Sequence, residues 1–121
     1  MAAARFEILH NPRCSKSRAT LQRLADAGIE PVVTEYLTAP PSPARLRTIL
    51  ALLGLDDPRA LMRTAEPAYA TLGLAAVTDP AALLDAMARH PILIERPIVI
   101  RDEARAVIGR PPANVDALLD D

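Results

Sequence analysis

One cysteine, four glycines, two tyrosines, one phenylalanine and no tryptophan are all that this 121-residue chain carries of those types. With Cys14 alone, neither an intrachain disulfide nor a cysteine-rich zinc site can form, and any resolving thiol must come from another molecule. The few glycines build no Gly-x-Gly-x-x-Gly or Walker phosphate loop, and nothing in the sequence calls for a bound metal, nucleotide or haem. No apolar run approaches the roughly 20 residues of a membrane helix. Met1 to Arg5 lack the apolar stretch of a signal peptide, so the reading is a cytoplasmic protein with no membrane partner. A basic excess is also missing. The net charge is -1, which disfavours a nucleic-acid binder but leaves room for a local cationic pocket. Lysine is nearly absent: of 14 basic residues only Lys16 is one, and the rest are arginines, whose planar forks suit oxyanions.

What is present is a globular balance, 50% hydrophobic and 24% charged, of a length for one domain over residues 1–121. The 12 prolines punctuate it. Phe6 to Leu9 reads as a strand ending at His10-Asn11-Pro12. From Cys14 the spacing of Ser17, Leu21, Leu24, Ala25 and Gly28 predicts a helix, and Val32 to Leu37 a second strand. A strand, helix and strand in this order imply a parallel pair. A helical insert then covers about 42–90. Ser42-Pro43 starts one helix, with Leu46, Ile49, Leu50 and Leu53 on a shared face, and Gly54 stops it. Arg59 to Thr64 reads as a short helical piece, and Asp79-Pro80 starts a helix that turns Leu83, Leu84 and Met87 inward. Pro97 to Arg101 and Ala104 to Ile108 read as a hairpin around Asp102-Glu103, and Pro111-Pro112 opens a last helix burying Val115, Leu118 and Leu119. The order β-α-β, helices, β-β-α is the plan of an α/β thioredoxin-like fold with an inserted helical subdomain.

The chemistry concentrates in His10-Asn11-Pro12-Arg13-Cys14-Ser15-Lys16-Ser17-Arg18, between a strand and a helix. Unpaired backbone N–H groups at such a helix start favour a thiolate. His10, Arg13, Lys16 and Arg18 are expected to add positive charge. The same donors would hold a tetrahedral oxyanion, so a nucleophilic sulfur and an anion cradle coincide. Asn11 and Ser17 are placed to hydrogen-bond the loop or the thiolate, or simply to cap the helix. Ser17 stands where a Cys-x-x-Cys motif needs its second cysteine, which excludes internal dithiol cycling. Thr20 stands where the Cys-x5-Arg cradle of low-molecular-weight phosphatases needs arginine, so arginines must come from elsewhere in the chain.

This loop resembles the active-site loop of the glutaredoxin-coupled arsenate reductases, the ArsC family. So do Pro91-Ile92-Leu93-Ile94-Glu95-Arg96-Pro97-Ile98-Val99 and Ile108-Gly109-Arg110-Pro111-Pro112, with shorter matches at Glu35-Tyr36-Leu37 and Leu61-Met62-Arg63. The likeness runs from Ile8 to Leu118. It implies that Cys14 attacks arsenate to form a thiol–arsenic adduct. It also implies that Arg63, Arg96 and Arg110 hold the oxyanion. Spacing alone puts Arg59, one turn before Arg63, on the same face as a supporting residue. Glutathione is implied as co-substrate with no bound cofactor, and glutaredoxin as the partner that resolves the mixed disulfide. Pro97, at the entry to a strand, matches the cis-proline position of thioredoxin-like folds, which would aim Arg96 at the sulfur. His10, Asn11, Ser17 and Arg18 fall in the thiolate-stabilising loop.

Two other readings compete. Spx-like regulators of RNA polymerase share this fold and an Arg-Pro-Ile segment, and act by protein contact, but they usually carry the Cys-x-x-Cys switch missing here. A monothiol oxidoreductase that exchanges with glutathione and acts on another substrate would need the reactive Cys14 but no arsenate.

Overall fold

Alternating apolar residues give the first strand, β1 (Phe6–Leu9), two buried faces, so it lies in the middle of a sheet. The computed structural model describes residues 4–119. The chain divides into two compact units. One comprises the described residues up to Tyr36 and those from Arg96 onward, and the other is Leu37–Glu95.

In the first unit β1 leads through helix α1 (Ser15–Asp26) to β2 (Val32–Thr34), and the later hairpin is β3 (Ile98–Arg101) and β4 (Arg105–Ile108). The sheet order is β2-β1-β3-β4. β1 pairs parallel with β2, Ile8 opposite Val33, and antiparallel with β3, Ile8 opposite Val99. β3 pairs antiparallel with β4, Val99 opposite Val107. This mixed sheet, with β-α-β followed by a hairpin and a closing helical segment, is the thioredoxin-like arrangement.

The core of this unit gathers Phe6, Ile8, Leu24, Val99, Val115 and Leu118, with Leu21, Ile29, Val107 and Leu119 partly buried around it. Leu24, fully buried on α1, is worth about 2 kcal/mol of transfer free energy by itself. The buried face of α1 is Ser17, Thr20 and Leu24 rather than the face through Ala25 and Gly28, which are exposed. An Arg23–Asp116 ion pair at 2.7 Å joins the exposed side of α1 to the 3-10 segment Pro112–Leu118, which stands where a last α-helix was expected.

The second strand ends at Thr34, three residues before its expected limit. His10 N–H donates to the Thr34 carbonyl at 2.8 Å as the last bond of that edge, and Tyr36 is then buried at 1% exposure. Burial of the tyrosine ring takes the chain out of the ladder, so the β-branched and aromatic run is only half strand.

The second unit is helical: α2 (Pro43–Leu52), α3 (Pro67–Thr71) and α4 (Pro80–Arg89), with 3-10 turns at Pro58–Leu61, Leu74–Ala76 and Pro91–Leu93. Ser42 and Asp79 cap α2 and α4, each accepting a backbone N–H, with proline in the first turn. Leu46, Ile49, Leu50, Leu83, Leu84 and Met87 are buried. The helical piece expected over 59–64 is a 3-10 turn that ends at Leu61, and Met62 instead bridges Ile94 antiparallel. The helix α3 has no buried residue, and for that reason no apolar periodicity announces it.

The β3–β4 turn puts two non-glycine residues, Asp102 (φ 56°) and Glu103 (φ 53°), in the left-handed region. Positive φ at both centres follows the twist of the hairpin but costs an L-residue about 1–2 kcal/mol. Asp102 offsets this by accepting the Arg5 N–H at 2.8 Å. Glu103→Gly removes the steric cost at one centre and pays back part of it in chain entropy. It is expected to raise stability by about 0.5–1 kcal/mol in urea denaturation.

Candidate functional site: a thiol at the head of α1

Cys14 is the N-cap residue of α1, with extended backbone (φ -95°, ψ 123°) and a partly buried side chain. The loop that presents it is held by its own polar groups. Cys14 N–H donates to the Asn11 carbonyl at 3.0 Å, and Arg13 N–H to Asn11 Oδ1 at 3.0 Å. Asn11 N–H donates to Ser17 Oγ at 3.0 Å, and the Arg18 guanidinium to the Pro12 carbonyl at 3.0 Å. Asn11, Ser17 and Arg18 therefore shape the loop from within.

Burial pushes the Cys14 thiol up, but the backbone amides of Ser17 and Lys16 and the Arg96 guanidinium outweigh it, so the thiol lies below the ordinary value. Arg110 Nη1 lies 3.9 Å from the sulfur. Two guanidinium groups thus reach one sulfur from separate turns. Each of these arginines precedes a cis peptide bond, Arg96–Pro97 and Arg110–Pro111.

His10 is buried, and its Nδ1 lies 2.6 Å from Ser17 Oγ. Burial lowers its pKa, opposed by Glu35 and aided by Arg18. Burial disfavours the charged ring that the sequence suggested, and the link of His10 to the cysteine loop runs through the Ser17 hydroxyl. Arg13 and Lys16 are exposed beside the loop.

Arg63 belongs to the second unit. There it pairs with Glu66 at 3.1 Å, and its N–H donates to the Leu93 carbonyl at 2.7 Å. Arg59 does not share that role. Its guanidinium donates to Tyr69 Oη at 3.0 Å and to the carbonyls of Leu74 and Val77, which binds the 69–77 segment together. A side chain so fully engaged with carbonyls is structural.

Three residues of this site were not singled out for it by the sequence. Gly109 is buried between Thr20 and Pro97, and its N–H donates to the Pro97 carbonyl at 2.9 Å. Thr20 is fully buried and its hydroxyl donates to the Lys16 carbonyl at 2.8 Å. Asn114 Nδ2 donates to the carbonyls of Ile108 and Arg110, both at 3.1 Å. In the sequence the glycine appears only within the Ile108–Pro112 motif and Thr20 only as the place of a missing arginine.

The ArsC family model matches residues 9–118. A protein of Neisseria meningitidis serogroup A named arsenate reductase is 46% identical over 115 residues, which is 94% of this chain and 97% of that protein. An uncharacterized Escherichia coli K12 protein, YfgD, is 48% identical over 110 residues, 90% of this chain and 92% of that one. The solved structure of an arsenate reductase from Vibrio cholerae superposes with a TM-score of 0.92 at 45% identity, covering 96% of this chain and 98% of that one.

Three outcomes follow from the geometry. Iodoacetamide alkylation of Cys14, followed against pH, is expected to rise with a midpoint below the ordinary thiol range, because the depressed pKa keeps the reactive thiolate populated as pH falls. Arg96→Ala is expected to move that midpoint up. Ser17→Ala strips a buried partner from both His10 and the Asn11 N–H, and is expected to cost about 1–3 kcal/mol in thermal or urea unfolding. A loss below 0.5 kcal/mol would mean that water replaces the hydroxyl.

Proposed function

The chain belongs to the ArsC family, and from that premise we propose that it is an arsenate reductase that uses Cys14 as nucleophile and glutathione with glutaredoxin as its electron source. The observation that supports this most directly is the convergence of helix amides and two guanidinium groups on one thiol of lowered pKa. Those groups favour the thiolate before substrate arrives and offer fixed donors to an oxyanion beside it.

In the proposed reaction the Cys14 thiolate bonds to arsenic of arsenate, and an arsenic oxygen leaves as water after protonation. Arg96 and Arg110 hold the remaining oxygens. Arg63 is assigned the third oxyanion contact on the strength of its Leu61-Met62-Arg63 motif. A glutathione thiolate then attacks the adduct. A Cys14–glutathione disulfide forms, the sulfur–arsenic bond breaks, and its electron pair stays on arsenic, which leaves as arsenite. The two electrons come from the two sulfurs. Glutaredoxin takes the glutathionyl group and returns Cys14 to the thiol. Because Cys14 is the sole cysteine, an external thiol is a chemical requirement of any such cycle.

The test is arsenate-dependent NADPH oxidation in the presence of glutathione, glutaredoxin and glutathione reductase. Wild type is expected to turn over and Cys14→Ser to be inactive. Arg96→Ala is expected to lose about 100-fold in kcat/KM through the loss of one charged oxyanion donor. Absence of arsenate turnover in wild type, with Cys14 still alkylating fast, would overturn arsenate as the substrate.

A further inference from the structure

Gly109 has no room for a side chain. A Cβ there would stand 2.6 Å from Thr20 Oγ1, 3.0 Å from Thr20 Cγ2 and 2.9 Å from Pro97 Cγ. Its φ is not in the left-handed region, so glycine is needed here for space alone. The three residues that meet belong to three different pieces of the thiol site. Thr20 lies on α1, the helix capped by Cys14. Pro97 follows Arg96 across a cis bond, and Gly109 precedes Arg110. Polar bonds hold the same junction: Thr20 Oγ1 lies 3.3 Å from the Gly109 carbonyl oxygen, and Gly109 N–H donates to the Pro97 carbonyl at 2.9 Å.

We infer that Thr20 is a positioning residue of the thiol site, and that its close fit against Gly109, which in turn is held to Pro97, sets the distance of Arg96 and Arg110 from the Cys14 sulfur. The inference rests on the reading of Cys14 as the reacting thiol, and not on the identity of the oxyanion. Protein interiors transmit a misfit of a few tenths of an ångström rather than absorb it. A methyl at position 109 must displace Thr20 or Pro97, and displacing either moves an arginine relative to α1. The charged groups placed on the sulfur are Arg96, from the entry to β3, and Arg110, from the turn after β4, with Lys16 next to it on α1. The junction touches both arginine-bearing turns and the helix.

The experiment is a double-mutant cycle on Cys14 alkylation, run without arsenate so that it reads the junction whether or not arsenate is the substrate. Wild type, Gly109→Ala, Thr20→Ala and Gly109→Ala/Thr20→Ala are compared, with folding checked by circular dichroism. Gly109→Ala is expected to alkylate at least about threefold more slowly at pH 7, with its pH midpoint moved up. Removing Thr20 Oγ1 and Cγ2 in the double variant leaves only the Pro97 Cγ contact at 2.9 Å and is expected to recover part of the rate. A purely structural loss would add in the double variant instead of reversing. A folded Gly109→Ala with the wild-type rate and midpoint, or a double variant slower than both singles, overturns the inference. If Gly109→Ala does not fold, Thr20→Val carries the test, since it keeps the volume and drops the hydroxyl. It is expected to slow alkylation several-fold and to move its pH midpoint up, with Thr20→Ser restoring both. No change in either readout overturns the inference.

Discussion

The pull of helix amides and a guanidinium on a single sulfur organises the first unit of this protein. Burial alone would keep the Cys14 thiol neutral. What reverses the balance is the open end of α1, where the amides of Lys16 and Ser17 have no intrahelical partner, together with a guanidinium from a proline turn. That requirement fixes where the helix must start. It also explains why the loop before it is so densely bonded to itself, since Asn11, Ser17 and Arg18 supply partners that leave those amides facing the sulfur.

The arginines are brought to the same point by a different device. Each sits immediately before a cis proline, one entering β3 and the other leaving β4. Pairing of β3 with β4, Ile98 opposite Ile108, places those two turns side by side. A hairpin whose far end is a strained acidic turn thus presents both cations at its near end. Gly109 is small so that the near end can close on α1.

His10 shows how environment overrides residue type. In the sequence it is one more cation near a thiol. Once buried, its charged form is disfavoured and its ring is hydrogen-bonded to Ser17, so that it acts on the shape of the loop. Arg59 makes the same point in the second unit. Spacing pairs it with Arg63, yet carbonyls and the Tyr69 hydroxyl take up its donors, so it holds a segment together.

The sequence by itself determined the element order, the hairpin, the capped helix starts at Ser42 and Asp79, and the exposed head of α1. Each of these is a local matter of hydrophobic period, proline placement and capping chemistry, and needs no knowledge of distant residues. A single cysteine also means that any resolving thiol comes from outside the chain. Where β2 ends, that the 59–64 piece bridges Ile94, that Pro112–Leu118 is 3-10, and that α3 exists were decided only in the folded chain. There, burial of Tyr36 and the backbone partners of Met62 and Asn114 outweigh local preference. Thr20 was legible only as the place where an arginine is missing. Its contact with Gly109 spans 89 residues, and such a fit depends on which atoms meet across the sheet, information that no local pattern carries.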